Sequence, residues 1–209
     1  MLHVPASNNR SEGLSICGIA ASASGGTLTI SGSITSTSTS PVVRTGTVIL
    51  SGVGTASNYA SFNASAGVTR LGANDALLPT ATLDMGNSGD SRFDLNGFNQ
   101  TLAGITRSGN STFIGNASLT SNSTLTITGT STYSGSILNV LSPGDKLTTL
   151  KIANGANLTL TGAFSATTPD IQSGGILTLG AGCNAGLGAQ RVMDDLAICR
   201  RHRLQNTGN

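Results

Sequence analysis

Short runs in which apolar and polar residues alternate recur along the middle of the chain. Leu28–Gly32 reads Leu-Thr-Ile-Ser-Gly, and Leu125–Gly129 reads Leu-Thr-Ile-Thr-Gly. Because successive side chains of a β-strand point to opposite faces, these runs place Leu and Ile on one face and Thr on the other. Further copies are Val48–Gly52, Phe93–Gly97, Leu158–Gly162 and Leu177–Gly180. The pattern predicts short, half-buried strands that end at small residues.

The spacing of these runs predicts how the strands assemble. With looser copies at Val68, Phe113 and Leu138, the runs start at positions 28, 48, 68, 93, 113, 138, 158 and 177. The steps between successive starts are therefore 19, 20 or 25 residues. Additional apolar runs at Leu83–Gly86 and Leu102–Ile105 lie between those starts. Strands this short cannot bury an apolar face alone, but stacked coils of chain bury a continuous ladder. We therefore predict an all-β parallel β-helix with coils of about 20–25 residues.

A hairpin-based sandwich is the alternative architecture. It would show a turn signal about every 8–12 residues. Asn-Gly, the strongest hairpin signal, occurs at Asn96–Gly97 and Asn154–Gly155, so a hairpin stays open at those two points. The long step and the lack of regular hairpin turns favour coils.

Composition supports the β architecture and excludes several classes. Ser, Thr, Asn and Gly make up 100 of the 209 residues, while charged residues are 10% and aromatic residues 3%. Helical bundles need more Ala, Leu, Glu and Lys, and disordered chains carry more net charge and fewer β-branched residues. Residues 11–190 hold six basic and seven acidic residues, without a basic stripe, so we expect no nucleic-acid partner.

The composition divides the chain into three parts. Residues 1–24 form an N-terminal segment that could be an incomplete coil, and residues 25–188 hold the repeats. Residues 189–209 are atypical, with four Arg against two Asp. Within this tail Val192, Leu196 and Cys199 would share one face of a helix. The tail is therefore either a capping helix or sequence outside the natural reading frame, and we favour the second.

The cysteines and the N-terminal residues match no recognisable metal-binding, disulfide or targeting pattern. Cys17, Cys183 and Cys199 match neither a zinc pattern nor a disulfide framework, so we expect no metal site and no cofactor, and assign the cysteines no role. No apolar stretch approaches the roughly 20 residues of a spanning helix, so we expect no direct membrane span. Residues 1–10 lack the features of a signal peptide.

Two segments resemble a known family. Thr124–Gly135 reads TLTITGTSTYSG, and Asp94–Ile105 reads DLNGFNQTLAGI. Both resemble the autotransporter-associated β-strand repeat, also called the passenger-associated transport repeat. That family alternates Leu-x-Leu with Gly and a Tyr-x-Gly corner, and has a companion Asp-Leu-Asn-Gly-x-Asn-Gln segment. This chain has a single Tyr-x-Gly corner, at Tyr133–Gly135, and the link to a membrane translocator is implied by the resemblance alone.

The resemblance implies a right-handed β-helix in the passenger region of a bacterial secreted or surface protein. It implies export to the outer membrane and cell surface, and no catalytic residue in the repeat. The expected function is a rigid stalk that could present adhesive loops. The expected partners are adjacent coils of the same longer chain, and host or environmental glycans or other cell-surface molecules.

A carbohydrate-active enzyme is the alternative function, because parallel β-helices can carry polysaccharide lyases and hydrolases. Asp84, Asp90 and Asp94 lie within eleven residues, with Arg92 between them, and could form an acid/base pair or a calcium site. In the competing interpretation, Asp84 and Asp94 are outward-facing strand residues, and Asp90 is a turn residue. Asp75 is also a turn residue in this interpretation. We favour this second interpretation and assign no catalytic residue.

The remaining patterns are weaker. His3 and His202 lie at opposite ends of the chain, which disfavours a Ser-His-Asp triad. Outward threonines could form an ice-binding array, but Ile49 and Asp94 at equivalent positions would break it. Asn-x-Ser/Thr sequons, among them Asn63, Asn110, Asn116, Asn122 and Asn157, matter only in a eukaryotic secretory pathway.

Overall fold

The chain forms a parallel β-solenoid of about six turns. The computed structural model describes residues 14–15, 26–35, 42–43, 46–54, 57–86, 90–107, 111–166, 169–180 and 202–205. Within these ranges there is no α-helix, and so no helix long and apolar enough to cross a membrane. The predicted all-β parallel solenoid is confirmed.

Twenty short strands make up the described part of the fold. In chain order they are β1 (Leu14–Ser15), β2 (Thr27–Ile30), β3 (Ile34–Thr35), β4 (Val42–Val43), β5 (Thr47–Leu50), β6 (Ser61–Ala64), β7 (Gly67–Leu71), β8 (Thr82–Met85), β9 (Ser91–Asp94), β10 (Gln100–Leu102), β11 (Gly104–Arg107), β12 (Thr112–Gly115), β13 (Ser123–Ile127), β14 (Thr130–Tyr133), β15 (Ser136–Ile137), β16 (Thr148–Ile152), β17 (Asn157–Leu160), β18 (Asp170–Ile171), β19 (Ile176–Leu179) and β20 (His202–Gln205).

Each coil passes from sheet to sheet and returns to pair with its predecessor. One six-stranded sheet has the order β15-β12-β9-β7-β5-β2, and the four-stranded sheets are β10-β13-β16-β18, β11-β8-β6-β4 and β14-β17-β19-β20. A two-stranded sheet, β1-β3, completes the set. Along the six-stranded sheet, paired residues are 20, 21, 24, 21 and 23 positions apart. These coil lengths agree with the length predicted from the spacing of the runs.

The predicted alignment of the looser copies is wrong by one residue. Val48 pairs with Thr69 rather than Val68, and Phe93 pairs with Ile114 rather than Phe113. Thr69 is therefore buried in the core column while Val68 is only half-buried. Because side chains alternate, a one-residue shift exchanges the two faces of a strand. Because this buried position holds a polar residue, Thr69, the pattern of apolar residues does not indicate the correct register.

The last two predicted repeats also belong to a different sheet. Leu158 pairs with Ser131 and Leu177 in the β14-β17-β19 ladder, whereas Ile137 of the six-stranded sheet is bridged to Phe164. Every face of a solenoid turns apolar residues inward, so the same Leu-x-Leu pattern occurs on all of them. The spacing of the copies alone does not identify which face each copy occupies.

A continuous apolar column fills the interior of the solenoid. Each of the four larger sheets contributes fully buried side chains to it: Val48, Leu71, Phe93, Ile114 and Ile137; Phe62, Leu83 and Ile105; Leu102, Leu125, Ile127, Leu150 and Ile152; Leu158 and Leu177. No rung packs without its neighbours, which is why the strands can be short.

Neither Asn-Gly pair makes a hairpin. Asn96–Gly97 lies between β9 and β10, and Asn154–Gly155 lies between β16 and β17; in each case the two strands belong to different sheets. Within the described ranges, antiparallel pairing occurs only where β20 pairs with β19. Thus part of the atypical tail is a strand, while Val192, Leu196 and Cys199 lie outside the described residues.

Candidate functional site

The three carboxylates that could form an acidic site lie on different parts of the coil. Asp84 is on β8 in a four-stranded sheet, whereas Asp94 ends β9 in the six-stranded sheet. Asp90 is exposed just before β9, and its carbonyl oxygen accepts a bond from Gly67 N at 3.0 Å. Asp84 and Asp94 use their oxygens in separate contacts with neighbouring coils.

Asp84 belongs to a column of polar side chains across three coils. Asn63 Nδ2 donates to Asp84 Oδ2 at 3.1 Å, and Thr106 Oγ1 donates to Asp84 Oδ1 at 3.3 Å. Asn63 and Thr106 also occupy the positions paired with Asp84 in the strands on either side. The carboxylate therefore links stacked strands.

Asp94 faces away from the core column but is only 2% exposed. Its Oδ2 accepts a hydrogen bond from Arg70 Nε at 2.7 Å, and Arg70 is its paired residue on β7. Its Oδ1 accepts from Asn96 N at 2.8 Å and from Ala117 N at 2.9 Å. Asp94 is thus an outward-facing strand residue, as expected, and the Arg70 side chain and the following corner cover its carboxylate.

The segment after Asp94 forms a corner held by side-chain amides. Asn96 has a positive φ of 49° and its Nδ2 donates to Leu71 O at 3.0 Å. Gln100 is buried; its Oε1 accepts from Leu77 N at 3.0 Å and its Nε2 donates to Leu77 O at 3.1 Å. Both amides bond to the backbone of the preceding coil. We name Asp94–Gln100 the polar corner.

Asn116 supports the polar corner from the following coil. It is fully buried, and its Oδ1 accepts from Gly97 N at 2.9 Å and from Ser118 N at 3.0 Å. Its Nδ2 donates to Ser121 O at 2.8 Å and Leu147 O at 3.2 Å. The sequence marks Asn116 only as a sequon; its burial beside four backbone groups is visible only in the fold.

Asparagine side chains also form a ladder between coils. Asn74 Oδ1 accepts from Asn99 N, and Asn99 Oδ1 accepts from Thr124 N, both at 2.8 Å and both across 25 residues. Asn122 Oδ1 accepts from Leu147 N at 2.9 Å, again 25 residues away. Asp75, predicted as a turn residue, accepts from Thr101 N at 2.7 Å. In the sequence, only the pair Asn74 and Asn99, 25 residues apart, indicates this ladder.

The Tyr-x-Gly segment forms a second kind of corner, which we name the tyrosine corner (Tyr133–Gly135). Tyr133 is fully buried, and its hydroxyl lies 2.9 Å from Thr112 Oγ1. Burial raises the pKa of Tyr133, and the Thr112 hydrogen bond and the Arg107 charge oppose that rise. A Cβ at Gly135 would overlap the Tyr133 hydroxyl, so only glycine fits there.

The other predicted features carry no assembled site. Thr29, Ile49, Arg70 and Asp94 occupy one outward column, which interrupts a threonine array as predicted. His3, Asn110 and all three cysteines lie outside the described residues, as does the His202 side chain. Among described residues, no group of three or more His, Cys, Asp or Glu side chains could hold a metal ion.

Comparison with known protein families, curated proteins and solved structures finds no match to this chain.

Proposed function

We propose that the chain is a non-enzymatic passenger segment of a bacterial secreted or surface-displayed protein of the autotransporter type. It serves as a rigid stalk, with loops available for adhesion. At about 4.8 Å per stacked strand, about six turns give a rod on the order of 30 Å long.

One observation carries this proposal: the segment that resembles the family's companion repeat is used to join coils. Asp94 bonds to Arg70 on one coil and to Ala117 N on another, so its carboxylate is occupied by stacking contacts. Gln100 and Asn96 each bond to the backbone of the preceding coil. Residues used in this way support a stalk rather than a reaction.

The same polar bonds support a role in mechanical rigidity. Each crosses 23 to 25 residues of sequence but only one step of the stack, so it ties neighbouring coils directly together. Buried amides bonded at both ends also fix one register, because a slipped coil would leave them unpaired. Localisation at the cell surface, and glycans or other cell-surface molecules as partners, are part of this proposal.

Display on a Gram-negative cell tests the proposal. The full chain would be placed between a signal sequence and an outer-membrane translocator, with an N-terminal epitope. We expect the epitope at the surface, and a protease-resistant β-rich product after release. Asp94→Ala should reduce protease resistance, while Asp90→Ala, at an exposed position, should not. Wild-type chain retained inside the cell, or a helical circular-dichroism spectrum, would count against the proposal.

The enzyme alternative has a separate test. Polysaccharide turnover by the purified chain that disappears in Asp84→Ala would establish a carbohydrate-active solenoid in place of a stalk. Because Asp84 already accepts bonds from Asn63 and Thr106, we expect no turnover.

A further inference from the structure

The chain contains two Asn-Gly pairs that differ sharply in their surroundings. An asparagine before glycine can lose ammonia spontaneously, because the glycine backbone nitrogen attacks the side-chain amide carbon with little steric hindrance. The reaction needs a free glycine N–H and an asparagine side chain able to turn toward it. The fold satisfies these conditions at one pair and not at the other.

At Asn96–Gly97 both reacting groups are held. Gly97 N donates to Asn116 Oδ1 at 2.9 Å, so the attacking nitrogen is already hydrogen-bonded to a buried side chain. Asn96 Nδ2 donates to Leu71 O at 3.0 Å, which fixes the amide that would be attacked. Asn96 N is held as well, by Asp94 Oδ1 at 2.8 Å.

At Asn154–Gly155 neither reacting group is held. Both residues are exposed in the turn between β16 and β17, which is closed by a bond from Ala156 N to Ala153 O at 3.0 Å. Within the described part of the chain, the Asn154 amide and Gly155 N make no hydrogen bond. A Cβ at Gly155 would meet nothing within 4 Å, so the space beside this glycine is open.

We propose that Asn154 is a site of spontaneous modification in the folded protein and that the polar corner protects Asn96. Gly155 N attacks Asn154 Cγ, its proton passes through solvent to the leaving amide, and ammonia departs to give a five-membered succinimide. Water then opens either carbonyl of the ring, yielding aspartate or isoaspartate at position 154. The net reaction consumes one water and releases one ammonia.

The product changes a turn that lies against the next coil. The Asn154 amide oxygen and Gly155 N are the nearest groups to Gly174, at 3.3 and 3.7 Å from the position of a Cβ there. Aspartate adds a negative charge at this stacked position, and isoaspartate lengthens the backbone between β16 and β17 by one methylene.

The test compares the two asparagines within one sample. The full chain is incubated at mildly alkaline pH, folded or in concentrated urea, and both peptides are followed by mass spectrometry for loss of the amide. In the folded protein we expect Asn154 to convert at least about tenfold faster than Asn96, because two hydrogen bonds must open at Asn96 first. In urea the two rates should converge.

Each outcome has a defined meaning. Equal rates in the folded protein, or faster loss at Asn96, would overturn the inference. A difference that persists in urea would also overturn it, because local sequence rather than the fold would then be the cause. Asn154→Gln is the matched control: it keeps an amide in the turn but disfavours the five-membered ring, and should abolish the signal at position 154.

Discussion

The polar corner and the tyrosine corner solve the same problem by different means. At the polar corner, side-chain amides and a carboxylate bond to backbone groups of adjacent coils, as Gln100 does with Leu77. At the tyrosine corner, the coils approach so closely that a Cβ at Gly162 would collide with Gly135 O. One corner is specified by hydrogen-bonding partners and the other by the absence of side chains.

This difference shows how a solenoid with few charged residues keeps its register. Apolar columns alone tolerate slippage, because Leu, Ile and Val on successive rungs are nearly interchangeable. A buried amide bonded to a specific backbone group is not interchangeable, since a shift leaves it unsatisfied. Tight glycine contacts act similarly, because only one alignment places two small residues together.

The largest expected effect is at the polar corner. Asp94→Ala removes the acceptor for Asn96 N and Ala117 N and leaves Arg70 unpaired. We expect the free energy of unfolding to fall by about 3 kcal/mol, measured by urea denaturation. Asp90→Ala, at an exposed side chain, is the control and should change stability by less than about 0.5 kcal/mol. Similar losses for both variants would contradict the assigned role of Asp94.

A smaller effect is expected at the tyrosine corner, where neighbouring coils pack closely at their backbones. Gly162→Ala should destabilise the fold by about 2 kcal/mol, because the coils must separate to accommodate the methyl group. Gly32→Ala is the matched control, since a Cβ there meets nothing within 4 Å. Thermal melts of the two variants would decide the matter; equal melting temperatures would show that the close contact is unimportant.

The smallest expected effect on stability at neutral pH comes from the ionisation of the two tyrosines. Burial raises the pKa of Tyr59 to about 12, although the hydrogen bond from Leu78 N opposes the rise. The pKa of Tyr133 is raised for the same principal reason. The pKa of each tyrosine in the folded protein therefore exceeds its unfolded value of about 10. Burial of the neutral phenol contributes fully to stability below pH 10, and this contribution is lost as the pH rises toward 12.

The alkaline titration of tyrosine absorbance measures this directly. Since the chain has two tyrosines, the whole absorbance change should occur above pH 10 in the folded protein, but near pH 10 in urea. Tyr59→Phe should remove about half of the signal. Ionisation of the folded protein near pH 10 would show that the two phenols are not buried as described.

Much of the fold could be predicted because strand alternation is a local property. Runs such as Leu28–Gly32 determine which side chains share a face, and their recurrence gives a coil length that the six-stranded sheet reproduces. The register of the weaker rungs could not be predicted. Thr69 occupies a core position because Val48 and Phe93 on either side supply the apolar surface.

The candidate site divides in the same way. Strand alternation predicts that Asp84 and Asp94 are strand residues, whereas Asp94, Asn96 and Gln100 are grouped only by the resemblance of their segment to a repeat. What these side chains bind follows from the fold, because Arg70, Leu77 and Ala117 are 23 or 24 residues away and become neighbours through the stacking of coils. The alternation of side chains along a strand depends only on adjacent residues. A bond between coils depends instead on the summed length of every turn between its partners.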